Sequence, residues 1–154
     1  MNNQEYRVDI ATDEELMHLK NRLSHCPFLS SLNFSCQDKT FTENKHEYYR
    51  TFILKDRCGD ALGATCILVS LRVTKTDEPV EAYFALDSIF IENECRGKGL
   101  ANYLIERASV WIKKDVEFRM SEKILENGRI DTFSVNAVHP ASEVLMRKFE
   151  AKIK

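Results

Sequence analysis

The sequence predicts a single α/β domain on a mixed, mainly antiparallel central sheet. Three observations carry this. First, the chain has 154 residues, of which 44% are hydrophobic, a size that suits one domain around one core. Second, Tyr48 to Ile91 reads as apolar and β-branched stretches broken by short polar turns, an antiparallel meander. Third, from Leu100 onward the apolar spacing changes to three and four, and strand alternates with helix.

Tyr6 to Ile10 alternates with period two, a short strand. Thr12-Asp13-Glu14-Glu15 follows with the capping-box pattern, and Leu16, Leu19 and Leu23 continue a helix to about Ser24 before Pro27. Phe28 to Lys45 is irregular and reads as a short helix plus a long loop, a length usually reserved for function. Tyr48 to Lys55 and Ala61 to Val73 form a hairpin across Asp56–Asp60, and Val80 to Ile91 adds a further strand after the turn at Lys75–Pro79. Leu100, Tyr103, Leu104, Ala108 and Trp111 mark an amphipathic helix, continuing or restarting through Phe118 to Leu125. Asn127-Gly128 stops it. Thr132 to Val138 reads as a strand, and Pro140 opens a last helix through Val144, Leu145, Lys148 and Phe149.

Composition excludes several classes. Lys+Arg 22 against Asp+Glu 24 lacks the basic excess of a dedicated nucleic-acid binder. No apolar run approaches the roughly 18 residues of a membrane span, and the polar start Met1–Glu5 does not resemble a secretory signal. A cytoplasmic protein is expected. The cysteines at 26, 36, 58, 66 and 95 are widely spaced, with no C-x-x-C, and the histidines at 18, 25, 46 and 139 are scattered. Reduced thiols and no metal site are expected.

The sharpest local feature runs from Ile89 to Ala101: a strand, then Glu92-Asn93-Glu94-Cys95-Arg96-Gly97-Lys98-Gly99, then a helix. The first N–H groups of a helix lack internal partners and carry partial positive charge. Gly97 and Gly99 let backbone approach a ligand closely, and Arg96 and Lys98 add charge, so the junction suits a pyrophosphate. A Walker loop is excluded because its first glycine would fall on Glu92. A dinucleotide fingerprint is excluded because its third falls on Asn102.

Arg96-x-x-Gly99-x-Ala101 resembles the Gln/Arg-x-x-Gly-x-Gly/Ala signature of the GNAT superfamily of acyl-CoA-dependent N-acyltransferases. Leu86–Ile91 resembles that family's fourth strand, and Gly63 the glycine common in its third. The resemblance spans the whole chain in the order β-α-α-β-β-β-α-β-α. It implies acetyl-CoA as co-substrate, held where two parallel strands splay apart, and a primary amine as acceptor, acetylated by direct attack. Backbone N–H groups of Arg96, Gly97, Lys98, Gly99, Leu100 and Ala101 would hold the pyrophosphate. The backbone of Ile89 and Ile91 would pair with the pantetheine arm, and Asn136 would face the same cleft.

Direct transfer needs a base for the ammonium and an acid for the leaving thiolate. Asp87, in phase with Ile89 and Ile91, is the candidate base, with Glu81 the runner-up. Glu43 and Glu47 border the irregular segment and would attract a cationic amine. The family's acid is often a tyrosine early in the last helix. Aligning His139-Pro140-Ala141-Ser142 with that helix start puts Met146 there, and methionine donates no proton. His139 is the candidate acid, with Tyr103 and Ser142 as weaker choices, and Cys95, beside a helix N-terminus, reads as a bystander thiol rather than a nucleophile. Only Ala151–Lys154 follows the last helix, so the strands that usually complete the acceptor side are short or missing. A homodimer would cover the open sheet edge. These departures leave an alternative, a CoA-binding or interaction module with the fold and little catalytic activity.

Overall fold

The computed structural model describes residues 5–24, 34–42, 45–72, 80–120, 130–137 and 143–153. The chain runs β1 (Arg7–Ile10), α1 (Asp13–Ser24), β2 (Asp38–Phe41), β3 (Lys45–Lys55), β4 (Ala61–Arg72), β5 (Val80–Ile91), a single 3₁₀ turn (Asn93–Cys95), α2 (Leu100–Met120), β6 (Ile130–Ala137) and α3 (Glu143–Ile153). The sheet order is β1-β3-β4-β5-β6, with β2 also pairing with β3. All pairs are antiparallel except β5 with β6. The mixed, mainly antiparallel sheet matches expectation.

One expectation is corrected. The stretch read as loop includes β2, whose Asp38, Thr40 and Phe41 pair with Tyr48, Glu47 and His46. Asp-Lys-Thr-Phe carries little strand signal of its own, and its pairing with β3 and the Phe41 ring stacked on His46 hold it in place. The short helix expected before it falls on residues 28–33, outside the described ones. β3 begins at Lys45 rather than Tyr48, because β2 gives those extra residues a partner. α2 is one continuous helix to Met120. Its expected stop at Asn127-Gly128 lies outside the described residues, as does the start of the last helix at Pro140.

Local chemistry accounts for the elements. In the α1 capping box, Thr12 N–H donates to Glu15 Oε1 at 3.1 Å and Glu15 N–H to Thr12 Oγ1 at 3.2 Å. In the β3–β4 turn, Asp56 Oδ1 accepts from the N–H groups of Cys58 and Asp60, both at 2.9 Å, and Gly59 takes φ +88°.

The sheet is covered on both faces. On one, Phe52, Leu54, Ile67, Val69, Phe84 and Leu86 pack under α2 and α3 through Leu104, Ile105, Ala108, Ile112 and Phe149. On the other, Ile53, Ala64, Cys66 and Phe90 pack under α1 (Leu16, Leu19) and Phe34. Phe52 and Ile53 facing opposite layers is the period-two alternation of a strand buried on both sides.

β5 breaks that alternation. Leu86 stands opposite Ile67 and Ser88 opposite Cys66, leaving Asp87 as an extra residue in a bulge. Before the bulge, even-numbered Ala82, Phe84 and Leu86 face the α2 layer. After it, odd-numbered Ile89 and Ile91 face that layer and Phe90 faces α1.

Candidate active site

The strand-to-helix junction shapes the site. Cys95 N–H donates to Glu92 O at 3.0 Å and Arg96 N–H to Asn93 O at 3.2 Å, closing the 3₁₀ turn. Arg96 then takes φ −72°, Gly97 +82° and Gly99 +74°, and no non-glycine residue has positive φ among those described. Positive φ on both sides of Lys98 turns the chain tightly into α2, backbone that glycine adopts without strain. The first α2 backbone bond runs from Tyr103 N–H to Gly99 O at 3.2 Å, so the N–H groups of Leu100 and Ala101 have no partner within the helix. A Cβ at Gly97 or Gly99 would meet nothing within 4 Å, so both face open space. The loop N–H groups that remain for an anion therefore start at Gly97.

A groove of about 360 Å³ opens beside this junction, lined by Ile89, Phe90, Ile91, Cys95, Arg96, Gly97, Gly99, Leu100, Ala101 and Leu145. Its wall is the end of β5, and the register fixes which backbone groups face it. Glu92 N–H donates to Leu62 O at 2.8 Å across the β4–β5 ladder. Antiparallel pairs alternate between bonded and non-bonded, so the bonded positions are Glu92, Phe90 and Ser88. Ile91 (opposite Gly63) and Ile89 (opposite Thr65) point their N–H and C=O groups away from β4. On that side, pairing with β6 stops at Leu86 opposite Ala137 among the described residues. The Arg96 side chain reaches this edge, its Nε donating to Ile91 O at 3.0 Å.

Gly63 lets the two strands approach. A Cβ there would lie 2.5 Å from Phe90 O and 2.7 Å from Ile91 Cδ1. On the α1 face a second cavity, of about 350 Å³, lies between α1 and the β3–β4 hairpin and shares Phe90 with the groove. Glu15 and Arg22 border it, paired with Lys55 and Glu92 respectively.

The sequence candidates separate cleanly by place. Ile89, Ile91, Arg96, Gly97, Gly99, Leu100 and Ala101 share one groove, and Lys98 sits exposed in the same turn. Asp87 is half-buried at the β5 bulge, two residues before Ile89. Asn136 stands on β6 opposite Ala85. His139, Ser142 and Glu43 lie outside the described residues. Three other candidates have structural partners. Tyr103 donates its hydroxyl to Tyr6 O at 3.1 Å. Glu81 pairs with Arg72 at 2.7 Å. Glu47 pairs with Lys39 and Lys45 at 3.5 and 3.4 Å. Cys95 is buried in the core under α2. Cys66 is buried too, and burial pushes its thiol up to about 11.

Two features escaped sequence reasoning. Leu145 lines the groove from α3, though its apolar spacing marked it only as helix core. A polar cluster ties α2 to the far end of β3. There Tyr48 Oη donates to Asp115 Oδ2 at 2.6 Å, Arg119 Nε donates to the same oxygen at 2.8 Å, and Arg119 reaches His46 Nδ1 at 3.1 Å. Burial, then the Asp115 carboxylate, raises the Tyr48 phenol well above its ordinary range. The i, i+4 spacing of Asp115 and Arg119 was the one local signal for this cluster.

Among the described residues no helix is long and apolar enough to cross a membrane, and no three potential ligands gather around a metal position.

No protein-family model and no curated protein matches the sequence. Solved structures do match. A presumed acetyl transferase from Pyrococcus furiosus aligns over 94% of this chain and 91% of its own, at 14% identity and a TM-score of 0.50. The ribosomal-protein-alanine N-acetyltransferase of Brucella melitensis biovar Abortus 2308 aligns over 97% and 90%, at 14% identity and 0.48. Spermidine N-acetyltransferase from Vibrio cholerae, solved with CoA and spermine, aligns over 73% and 66%, at 22% identity and 0.41. With its mainly antiparallel sheet and its glycine junction opening α2, the chain has the fold of the GNAT acetyltransferases.

Proposed function

We propose that this chain transfers an acetyl group from acetyl-CoA to a primary amine, of a small molecule or a protein, by direct attack in a ternary complex. The observation that carries this reading is the groove at the end of β5, with its positive-φ glycines at 97 and 99 and outward-facing Ile89 and Ile91 backbone. The N–H groups of Gly97, Lys98, Gly99, Leu100 and Ala101, with the Arg96 side chain, bind the pyrophosphate. Ile89 and Ile91 take the pantetheine arm as an added strand, with Asn136, opposite Ala85 on β6, at the base of that opening. Asp87 removes the ammonium proton, directly or through water, so that the amine lone pair can attack the thioester carbonyl. His139 returns a proton to the departing thiolate. A second copy of the chain covering the outer edge of β6 would complete the acceptor side.

Calorimetry with acetyl-CoA, followed by free-thiol release against an amine panel, tests the proposal. Micromolar binding and amine-dependent thiol release are expected, with Gly99→Trp losing both. Binding without turnover would favour a CoA-binding module, a reading that Met146 at the family's tyrosine position supports. No binding, with Gly99→Trp indistinguishable from the parent, would sink both.

A further inference from the structure

We propose that Arg96 serves two rival acceptors, the Ile91 carbonyl and the ligand's pyrophosphate, and so couples binding of the two halves of acyl-CoA. This rests on the acyl-CoA reading above. The starting point is the Arg96 backbone. Its N–H is committed to Asn93 O at 3.2 Å, so this residue can reach an anion only through its guanidinium. That guanidinium is committed as well, with Nε 3.0 Å from Ile91 O.

The Ile91 carbonyl is not an arbitrary acceptor. It points away from β4, on the edge of β5 that lines the groove. An extended ligand adding to that edge pairs with the same oxygen through an amide N–H. Arg96 Nε and the ligand amide therefore approach one carbonyl from one side. A carbonyl has two lone pairs, but a planar guanidinium and a strand-like amide crowd each other there. The guanidinium also presents a rigid fork suited to two phosphate oxygens, and engaging it squarely draws Nε from the strand edge. Pyrophosphate binding would thus free the carbonyl that the pantetheine arm needs. The residue acts by position, holding or releasing a backbone acceptor, and takes no part in the chemistry.

The consequence is positive coupling between the two ligand halves, measurable with fragments. ADP serves as the diphosphate probe and pantetheine as the arm. In the wild-type chain, saturating ADP is expected to tighten pantetheine about threefold, the scale of one net hydrogen bond, and pantetheine must tighten ADP by the same factor. In Arg96→Ala, pantetheine alone should bind as it does to the ADP-saturated wild type, while ADP binds more weakly and no longer affects it. Arg96→Gln places an amide nitrogen at the position of Nε without the charge. It should keep pantetheine weak and leave ADP unable to relieve it. Titrations by nuclear magnetic resonance read all three, and thermal unfolding confirms that both variants remain folded. Uncoupled fragments in the wild type, or Arg96→Ala weakening both fragments alike, would overturn the proposal. If CoA binds while the fragments are uncoupled, only this inference fails. If the wild type does not bind CoA, the acyl-CoA reading fails with it.

Discussion

A methyl group at position 63 has nowhere to go. It would sit 2.5 Å from the Phe90 carbonyl oxygen, a backbone atom that cannot rotate away. Gly63→Ala must push β4 and β5 apart, so it should lose about 1–3 kcal/mol in urea unfolding, the usual range for overpacking. Adding the same methyl at Gly97 meets no atom but strains a φ of +82°, a different penalty of about 1–2 kcal/mol. The cysteines offer a second check at this scale. Cys58 is exposed, while Cys66 is buried with its thiol raised to about 11. Cys58 should react with a maleimide quickly at pH 8, and Cys66 only after denaturant is added. Equal rates in the native state would contradict the packing under α1.

At the scale of elements, two sets of polar contacts can be tested. Tyr48 and Asp115, 67 residues apart in sequence, join β3 to α2 through a 2.6 Å hydrogen bond. Tyr48→Phe keeps the ring and removes the donor, and should destabilise by about 1–3 kcal/mol, because it strips a partner from a largely covered carboxylate. The capping box at α1 gives a pH signature. Burial raises the Glu15 carboxyl, but Lys55 and Thr12 outweigh it and hold it below 4.5. A depressed carboxyl stabilises the fold above its unfolded value and loses that contribution as pH falls through the folded one. Thermal unfolding of the wild type should therefore decline below about pH 4.5, and Glu15→Gln should decline less steeply and be less stable at neutral pH.

The elements also show what a sequence can and cannot disclose. The capping box, the Asp56–Asp60 turn and the 96–101 junction were legible because each is made by neighbours within five residues. β2 was not. Asp-Lys-Thr-Phe becomes a strand only beside β3, and no local pattern announces a partner. Arg96 was legible as charge, but its bond to Ile91 depends on how the turn folds back. The Asp87 bulge was hidden because strand alternation alone gives no sign of a skipped residue.

For the molecule as a whole, the test is whether a ligand that spans the junction stabilises everything around it. At a hundred times its dissociation constant, a ligand specific to the folded state adds about 2.7 kcal/mol. For a domain of this size that is a rise in melting temperature of roughly 5–10 °C. Acetyl-CoA should produce it, and Gly99→Trp should abolish it while melting cooperatively on its own. Near-balanced charge across the chain predicts that salt affects this shift only through the few cations at the junction, Arg96 and Lys98.

The bulge at Asp87 also sets a reading frame for β5. Upstream, even numbers face α2. Downstream, odd numbers do. Removing Asp87 would merge the two frames into one unbroken alternation, in which Leu86 stays opposite Ile67 and Ser88 opposite Cys66. Phe84 and Leu86 would keep their places under α2, and Ile91 its place at the groove. Loss of that single codon should therefore spare the core on both faces and remove only the bend that the bulge puts into β5 beside Leu86, whereas a second deletion nearby would throw one half of the strand out of phase.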